Sequence, residues 1–540
     1  MTRQPASFAH HADLRPLTGG RLAVVIAAVA FLAGAAAAGG VAGRATTGNH
    51  TSGDEPHYLL TALSLAHDLD LDVSDQIDRG AYRPFHEQTL LPQARRRADG
   101  SMVAPHDPLL PAVLSVPVRL GGWVAAKLTL AGLNAALAGL LVWTMVRRFG
   151  VPLRTAAVTA LVMGAAAPLA VYGQQVYPEL PAAVAVTAAI AGLAGPLRRG
   201  GIAVVTGAVV ALPWLSVKFV PVAASLAGLA VVRVIRRGDR VTAGVAVGVL
   251  AVAGIAYLAL HLAWYGGATS YASGAFFAEH GGQLAVVGLA PRYLARSQRL
   301  LGLLVDRGFG VAAWQPAWLL AVPALAALAR RSGRAAAVVG VPLIAGWLTA
   351  TFVAVTMHGW WFPGRQIVAV LPCAAVAVGW WVGRNGARLT WLAVLGTVGV
   401  VAHAWLAVEA ARGDVTWVVD FAATTNPLYR GWRLMLPDYL RPGVATWVRH
   451  GAWVVAAVAL AGWGWTGASV GAGRGGRAWR RRCLGARLRA GLRARLGPRH
   501  RVAAPVDLAD AGAVVATTGG QHGERQAGRH DEAGREATQA

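Results

Sequence analysis

The sequence predicts an all-α fold: a polytopic transmembrane helical bundle of about 12 spans, with a large first extracytoplasmic loop carrying surface helices. Three observations predict it. Across 540 residues, 55% are hydrophobic and only 14% charged, which is more apolar surface than one aqueous core can hide. The apolar residues fall in runs of about 20, the length at which a helix crosses a hydrocarbon core. Between the runs stand Arg147-Arg148, Arg198-Arg199, Arg236-Arg237 and Arg330-Arg331, the pattern that marks cytoplasmic loops. Lys and Arg number 50 against 25 acids, a net charge of +25. Because these bases punctuate spans, membrane orientation explains them and nucleic acid is not an expected partner. Cys373 lies in an apolar run and Cys483 in a basic tail, so neither a disulfide nor a metal set is expected. The Ala, Val, Gly and Arg bias suits a high-GC bacterium.

In chain order, residues 1–21 are polar and carry Arg3, Arg15 and Arg21, which hold the N-terminus in the cytoplasm. Residues 22–43 form the first span, read as an uncleaved anchor because the apolar run exceeds a signal-peptide core. Residues 44–106 form the first extracytoplasmic loop. In it, 55–68 spaces its apolar residues as a helix, with Pro56 in the first turn, and a helix along the membrane surface fits. Asp68, Asp70, Asp72, Asp75 and Asp78 follow, but the central glycine and final glutamate of a calcium loop are missing, so an acidic solvated turn is expected. Pro105-His106-Asp107-Pro108 returns the chain to the membrane. Spans are expected near 122–146, 154–173, 177–196, two short helices within 201–233, then 241–262, 311–329, 335–356, 366–383, 388–408 and 448–468. Both ends then lie inside, and the transmembrane domain covers 22–470. Residues 471–504 are Arg-rich, with Trp479, Leu484, Leu488 and Leu492 at four-residue steps, which suits a basic amphipathic helix on an anionic leaflet. Residues 505–540 have a disordered composition.

The polar residues of interest gather on one expected face. Asp54 and Glu55 form an acidic pair beside the membrane, suited to taking a proton from a hydroxyl; helix capping is the alternative reading. Glu179, in Tyr177-Pro178-Glu179, enters a span, where an acid is expensive unless it faces a cavity or a partner. Lys218 is one of two lysines in the chain and suits a phosphate ligand, with snorkelling as the alternative. In His358-Gly359-Trp360-Trp361-Phe362-Pro363-Gly364-Arg365, Arg365 suits a phosphate clamp and the tryptophans suit a sugar ring, whereas an interfacial aromatic belt would account for the rings alone. His57 and His106 are further candidate ligands or donors. No phosphate loop, dinucleotide fingerprint, zinc spacing or nucleophile elbow occurs.

The acidic pair after the first span, Tyr177-Pro178-Glu179, Asp306-Arg307-Gly308-Phe309-Gly310 and the Gly-Trp-Trp-Phe-Pro-Gly-Arg turn at 359–365 together resemble the GT-C superfamily of polytopic glycosyltransferases, such as protein O-mannosyltransferases and aminoarabinose transferases. The resemblance covers about residues 20–470. It implies inverting transfer of a sugar from a polyprenyl-phosphate carrier to a lipid, glycan or protein acceptor, on the extracytoplasmic face of the plasma membrane. Asp54 would be the general base, with Glu55 as the alternative. Glu179 would be a second acid near the sugar or a divalent cation, with no other metal ligand assigned. Lys218 and Arg365 would hold the carrier phosphate, with His57 and His358 as further substrate contacts. A transporter or flippase for lipid-linked sugars is the competing reading, since 12 spans with both ends inside also suit secondary transporters. A noncatalytic assembly protein is the third. No inverted repeat is visible, and few ionisable residues sit in mid-span.

Overall fold

The computed structural model describes residues 19–275 and 293–467, so the expected basic segment 471–504 and the tail 505–540 lie outside the described residues. Regular structure among those described is helical. Eight helices are long and apolar enough to cross a membrane, and three shorter apolar helices accompany them. The protein is a multi-pass membrane protein, and the count of twelve spans stays an expectation.

The first half comprises α1 Gly19–Ala38, α2 Glu55–His67, α3 Ser74–Asp78, α4 Leu109–Phe149, α5 Leu153–Gly164, α6 Leu169–Tyr172, α7 Glu179–Ala194, α8 Arg199–Leu215, α9 Val220–Ile235 and α10 Arg240–Tyr265. The second half comprises α11 Ala321–Arg331, α12 Gly333–Leu348, α13 Leu371–Val382 and α14 Ala387–Arg412, closed by α15 Val444–Gly467. Proline and glycine set most departures from the expected spans. α4 has 41 residues, about 60 Å at helical rise, and it breaks at Gly121–Gly122, where Gly122 takes φ +62°. Its first part is the expected return segment and its second part the expected span. The expected span 154–173 divides into α5 and α6 around Pro168, and 311–329 begins with a turn and a 3-10 segment before α11. Residues 201–233 form two helices as expected, joined by the 3-10 turn Val217–Phe219.

Helix α2 forms over the expected residues, and ten of its 13 residues are buried, because it packs against α4. Every residue of α13 is buried and α7 is nearly so, which makes these two the centre of the bundle. α10 exposes Val241, Val245, Val252 and Ile255, an apolar outer face suited to lipid.

The paired arginines gather at one end. The Arg148 guanidinium lies against Gly195, Arg233 donates to the Gly195 carbonyl, and Arg237 Nη1 donates to the Leu197 carbonyl at 3.1 Å. From that end α7, α9 and α13 run back to Glu179, to the turn holding Lys218, and to the turn holding Arg365. The acidic and basic candidates therefore meet at the other end of the same helices. The aspartates of 68–78 are spent locally: Asp70 accepts from Ser64 Oγ and the Asp72 N–H, Asp72 from the Ser74 and Met102 N–H groups, and Asp68 from Gln76.

Candidate active site

The site begins with a turn that only glycine fits. Gly53 has φ +53°, and a Cβ there would lie 2.9 Å from Tyr177 Oη and 3.1 Å from the Trp360 carbonyl. Ser52 completes the junction: its carbonyl accepts from Tyr177 Oη at 2.9 Å, and its hydroxyl donates to the Trp360 carbonyl at 3.2 Å. Three motifs far apart in sequence thus meet around one turn. Asp54 follows at the start of α2, yet its side chain caps no helix N–H. Arg365 Nη2 donates to Asp54 Oδ2 at 2.5 Å instead. Capping is not what the carboxylate does.

Gly364 positions Arg365. With φ +88°, its Cβ would lie 2.9 Å from Val311 and 3.2 Å from Pro168. The following guanidinium stands 4.1 Å from the Tyr177 ring and 4.9 Å from the Trp361 ring. Its Nε donates to Glu179 Oε1 at 2.9 Å, and Lys218 Nζ donates to the same oxygen. Glu179 is fully buried, while the Asp54 and Lys218 side chains are 26% and 22% exposed, so only the outer members of the cluster meet the cavity. Two carboxylates and two cations balance, as a desolvated cluster requires. Burial, the largest single influence, works against the ionised form of Asp54, but Arg365, His106 and Gln93 together outweigh it and hold the carboxyl well below the usual carboxylate range.

Of the expected site residues, Asp54, Glu179, Lys218 and Arg365 come together, and His57 lies in the same cavity wall. Glu55 and His358 do not join them. Glu55 is fully buried: its Oε1 accepts from the Ser52 N–H at 3.2 Å and its Oε2 from the Val176 N–H at 2.8 Å. Burial pushes its carboxyl up, against the opposing pull of Lys127 and these N–H groups. It ties the turn to the segment before α7 and does not line the cavity. His358 lies against Phe309, with ring centroids 4.9 Å apart, and 3.7 Å from Asp306, outside the cavity wall. Asp306 itself closes its own loop, accepting from the Gly308 and Phe309 N–H groups. Trp361 lines the cavity while Trp360 is exposed.

The cavity has a volume of about 790 Å³. It is lined by the polar residues Asp54, His57, Gln93, His106, Asp107, Lys218 and Arg365 and by apolar residues that include Phe219, Val222, Ala350, Val353 and Val370, from α9 and its preceding turn, the end of α12 and the approach to α13. Gln93 links two members: its Nε2 donates to Asp54 Oδ1 at 3.3 Å and its Oε1 faces His106 Nε2 at 2.9 Å. A buried network that the sequence reading missed adjoins this wall, and its hub, Asp107, also lines the cavity. Asp107 Oδ1 accepts from Tyr257 Oη and His261 Nε2, both at 2.9 Å, and Oδ2 from the Val217 N–H at 3.1 Å and Ser270 Oγ at 3.3 Å. Tyr265 Oη donates to the His106 carbonyl at 2.8 Å. Tyr257, His261 and Tyr265 are spaced i, i+4 and i+8 on one face of α10, and that polar stripe in an apolar run was the available signal. The network holds His106 on one side and the residue before Lys218 on the other.

Among the described residues, no three His, Cys, Asp or Glu side chains converge as a metal-ligand set. No family model matches the chain, and no curated protein matches it. Among solved structures, the chain is similar to ArnT from Cupriavidus metallidurans, crystallised bound to undecaprenyl phosphate, at 16% identity and a TM-score of 0.46, over 83% of this chain and 78% of that one.

Proposed function

We propose that the protein is an integral-membrane glycosyltransferase that moves a sugar from a polyprenyl-phosphate donor to an acceptor hydroxyl, with inversion, on the extracytoplasmic face. The observation that carries this reading is one cavity lined both by Asp54, Arg365 and Lys218 and by apolar residues of α9, the end of α12 and the approach to α13. A lipid phosphate needs both parts: cations for the headgroup and an apolar track for the chain. The arginine-rich ends at the opposite end of the same helices support that face.

In this reading the acceptor oxygen attacks the anomeric carbon opposite the phosphate. The bond from that carbon to the phosphate oxygen breaks, and the phosphate leaves with the electron pair. Lys218 and Arg365 stabilise the charge gathering on the leaving group, and Asp54 takes the hydroxyl proton. At rest Arg365 makes Asp54 a weak base. A carrier phosphate competes for the guanidinium, and its arrival raises the proton affinity of the carboxylate when substrate is in place. Glu179 keeps both cations oriented, and Glu55 holds the turn that carries Asp54.

The test is transfer in proteoliposomes with a radiolabelled polyprenyl-phosphate sugar. Wild type should move label from lipid to acceptor, and Lys218→Met should raise the KM for the donor by about tenfold or more, as loss of a charged contact does. Labelled lipid that crosses the bilayer intact without transfer would replace this reading with the transporter.

A further inference from the structure

The polar wall of the cavity is unlike its cationic side. His57 is 2% exposed and lines the cavity, and its ring nitrogens make no hydrogen bond to any described residue. Its neighbour His106 lies 6.2 Å away between ring centroids and stacks on Tyr58 at 4.4 Å. Gln93 sets the polarity of His106. Its amide N–H faces a carboxylate, which only accepts, so its carbonyl faces His106 Nε2, which must donate. His106 Nδ1 is then a lone pair with no hydrogen bond among the described residues. Burial lowers the basicity of both rings, that of His57 to about 3, so they are uncharged at neutral pH.

Each carboxylate near this wall is already partnered by donors of the protein. Asp54 is engaged by Arg365 and Gln93, Glu179 is sealed off behind Lys218 and Arg365, and Asp107 already accepts from four donors. Arg365 also lies over the Trp361 and Tyr177 rings, so those faces are taken. We propose that His57 and His106, the latter oriented by Gln93, form the docking wall for an uncharged polyhydroxyl group, and that the cavity discriminates against a sugar bearing an ammonium. Neutral imidazoles and an amide satisfy hydroxyls, whereas a desolvated ammonium would have to share Asp54 with the Arg365 guanidinium that already holds it. The inference rests on the glycosyltransferase reading for what the wall is used for, though not for the chemistry it selects.

The test reads the wall apart from the lipid. Thermal unfolding of the full chain in detergent is followed with methyl α-glucoside, methyl 2-amino-2-deoxy-glucoside and its N-acetyl counterpart. The neutral glycoside should stabilise the protein, the amine should need at least about tenfold more for the same shift, and acetylation should restore the effect because it removes the charge. His106→Asn, which keeps an amide near the Nδ1 position, should retain part of the shift, and His106→Leu should lose it. Equal or stronger stabilisation by the amine, or no stabilisation by any of the three, overturns the proposal. If the neutral glycoside stabilises but no polyprenyl-phosphate sugar competes with it, the lipid-donor reading fails and the wall stands.

Discussion

Asp54→Asn separates catalysis from stability. The substitution keeps the shape and the Gln93 contact but removes the charge that meets Arg365 at 2.5 Å. A hydrogen bond between charged groups contributes about 1.5–3 kcal/mol net. Arg365 keeps Glu179 at 2.9 Å, so the guanidinium is not left unpaired, and a side chain 26% exposed loses less than a sealed one. The expected loss is about 1–3 kcal/mol, within the 5–15 kcal/mol of ordinary stability, so the variant should fold. Turnover should fall by about 10² to 10⁴, the contribution of a positioned general base. Thermal melts in detergent and transfer at saturating donor, run on the same preparations, read the two effects separately. The stability difference also has a definite pH dependence. The Asp54 carboxyl is depressed in the folded state, so its contribution is complete above the unfolded value of about 3.9 and disappears as pH falls below it. The gap between wild type and variant should stay constant from pH 8 to about 5 and close in stronger acid. Turnover within tenfold of wild type in a folded variant would refute the general-base assignment.

Two further substitutions address the scaffold. Glu179→Gln leaves Lys218 and Arg365 with Asp54 as their one remaining acidic partner in the cluster, and should cost about 3–5 kcal/mol, read as a fall in melting temperature that Glu179→Gln combined with Lys218→Met partly recovers. Gly364→Ala forces a side chain into a left-handed backbone and against Val311. It should cost about 1–3 kcal/mol and weaken donor binding by displacing Arg365, seen as a raised KM with the Asp54 chemistry intact.

Much of the cluster was legible because charge in an apolar chain is conspicuous. Asp54, Glu179, Lys218 and Arg365 each stand out against their runs, and the membrane leaves such groups few places except beside one another. The same logic grouped Glu55 and His358 with them, whereas neither side chain lines the cavity. Adjacent residues at a helix start point in different directions, so the acidic pair divides into one carboxylate for the cavity and one for the backbone of Val176. His358 shares a turn with Arg365, but the turn aims its ring at Phe309. Gln93 was invisible because a neutral amide in a polar loop looks like any other. Tyr257, His261 and Tyr265 were readable as an i, i+4, i+8 stripe, but in an apolar run aromatic residues blend with an interfacial belt.

The balanced cluster also bears on how the chain is made. Its members are separated in sequence, so the two acids are made before their cationic partners exist. Glu179 emerges 39 residues ahead of Lys218 and 186 ahead of Arg365. At about 5–20 residues per second, the buried acid waits roughly 2–8 s for its first counter-ion and roughly 9–37 s for its second. Lys218 therefore serves the nascent protein before it serves any substrate: it neutralises Glu179 while half of the bundle is still unsynthesised. The turn between α8 and α9 is where that early partner has to stand, and a lysine lost there would leave the acid without a counter-ion until Arg365 is made, 186 residues later.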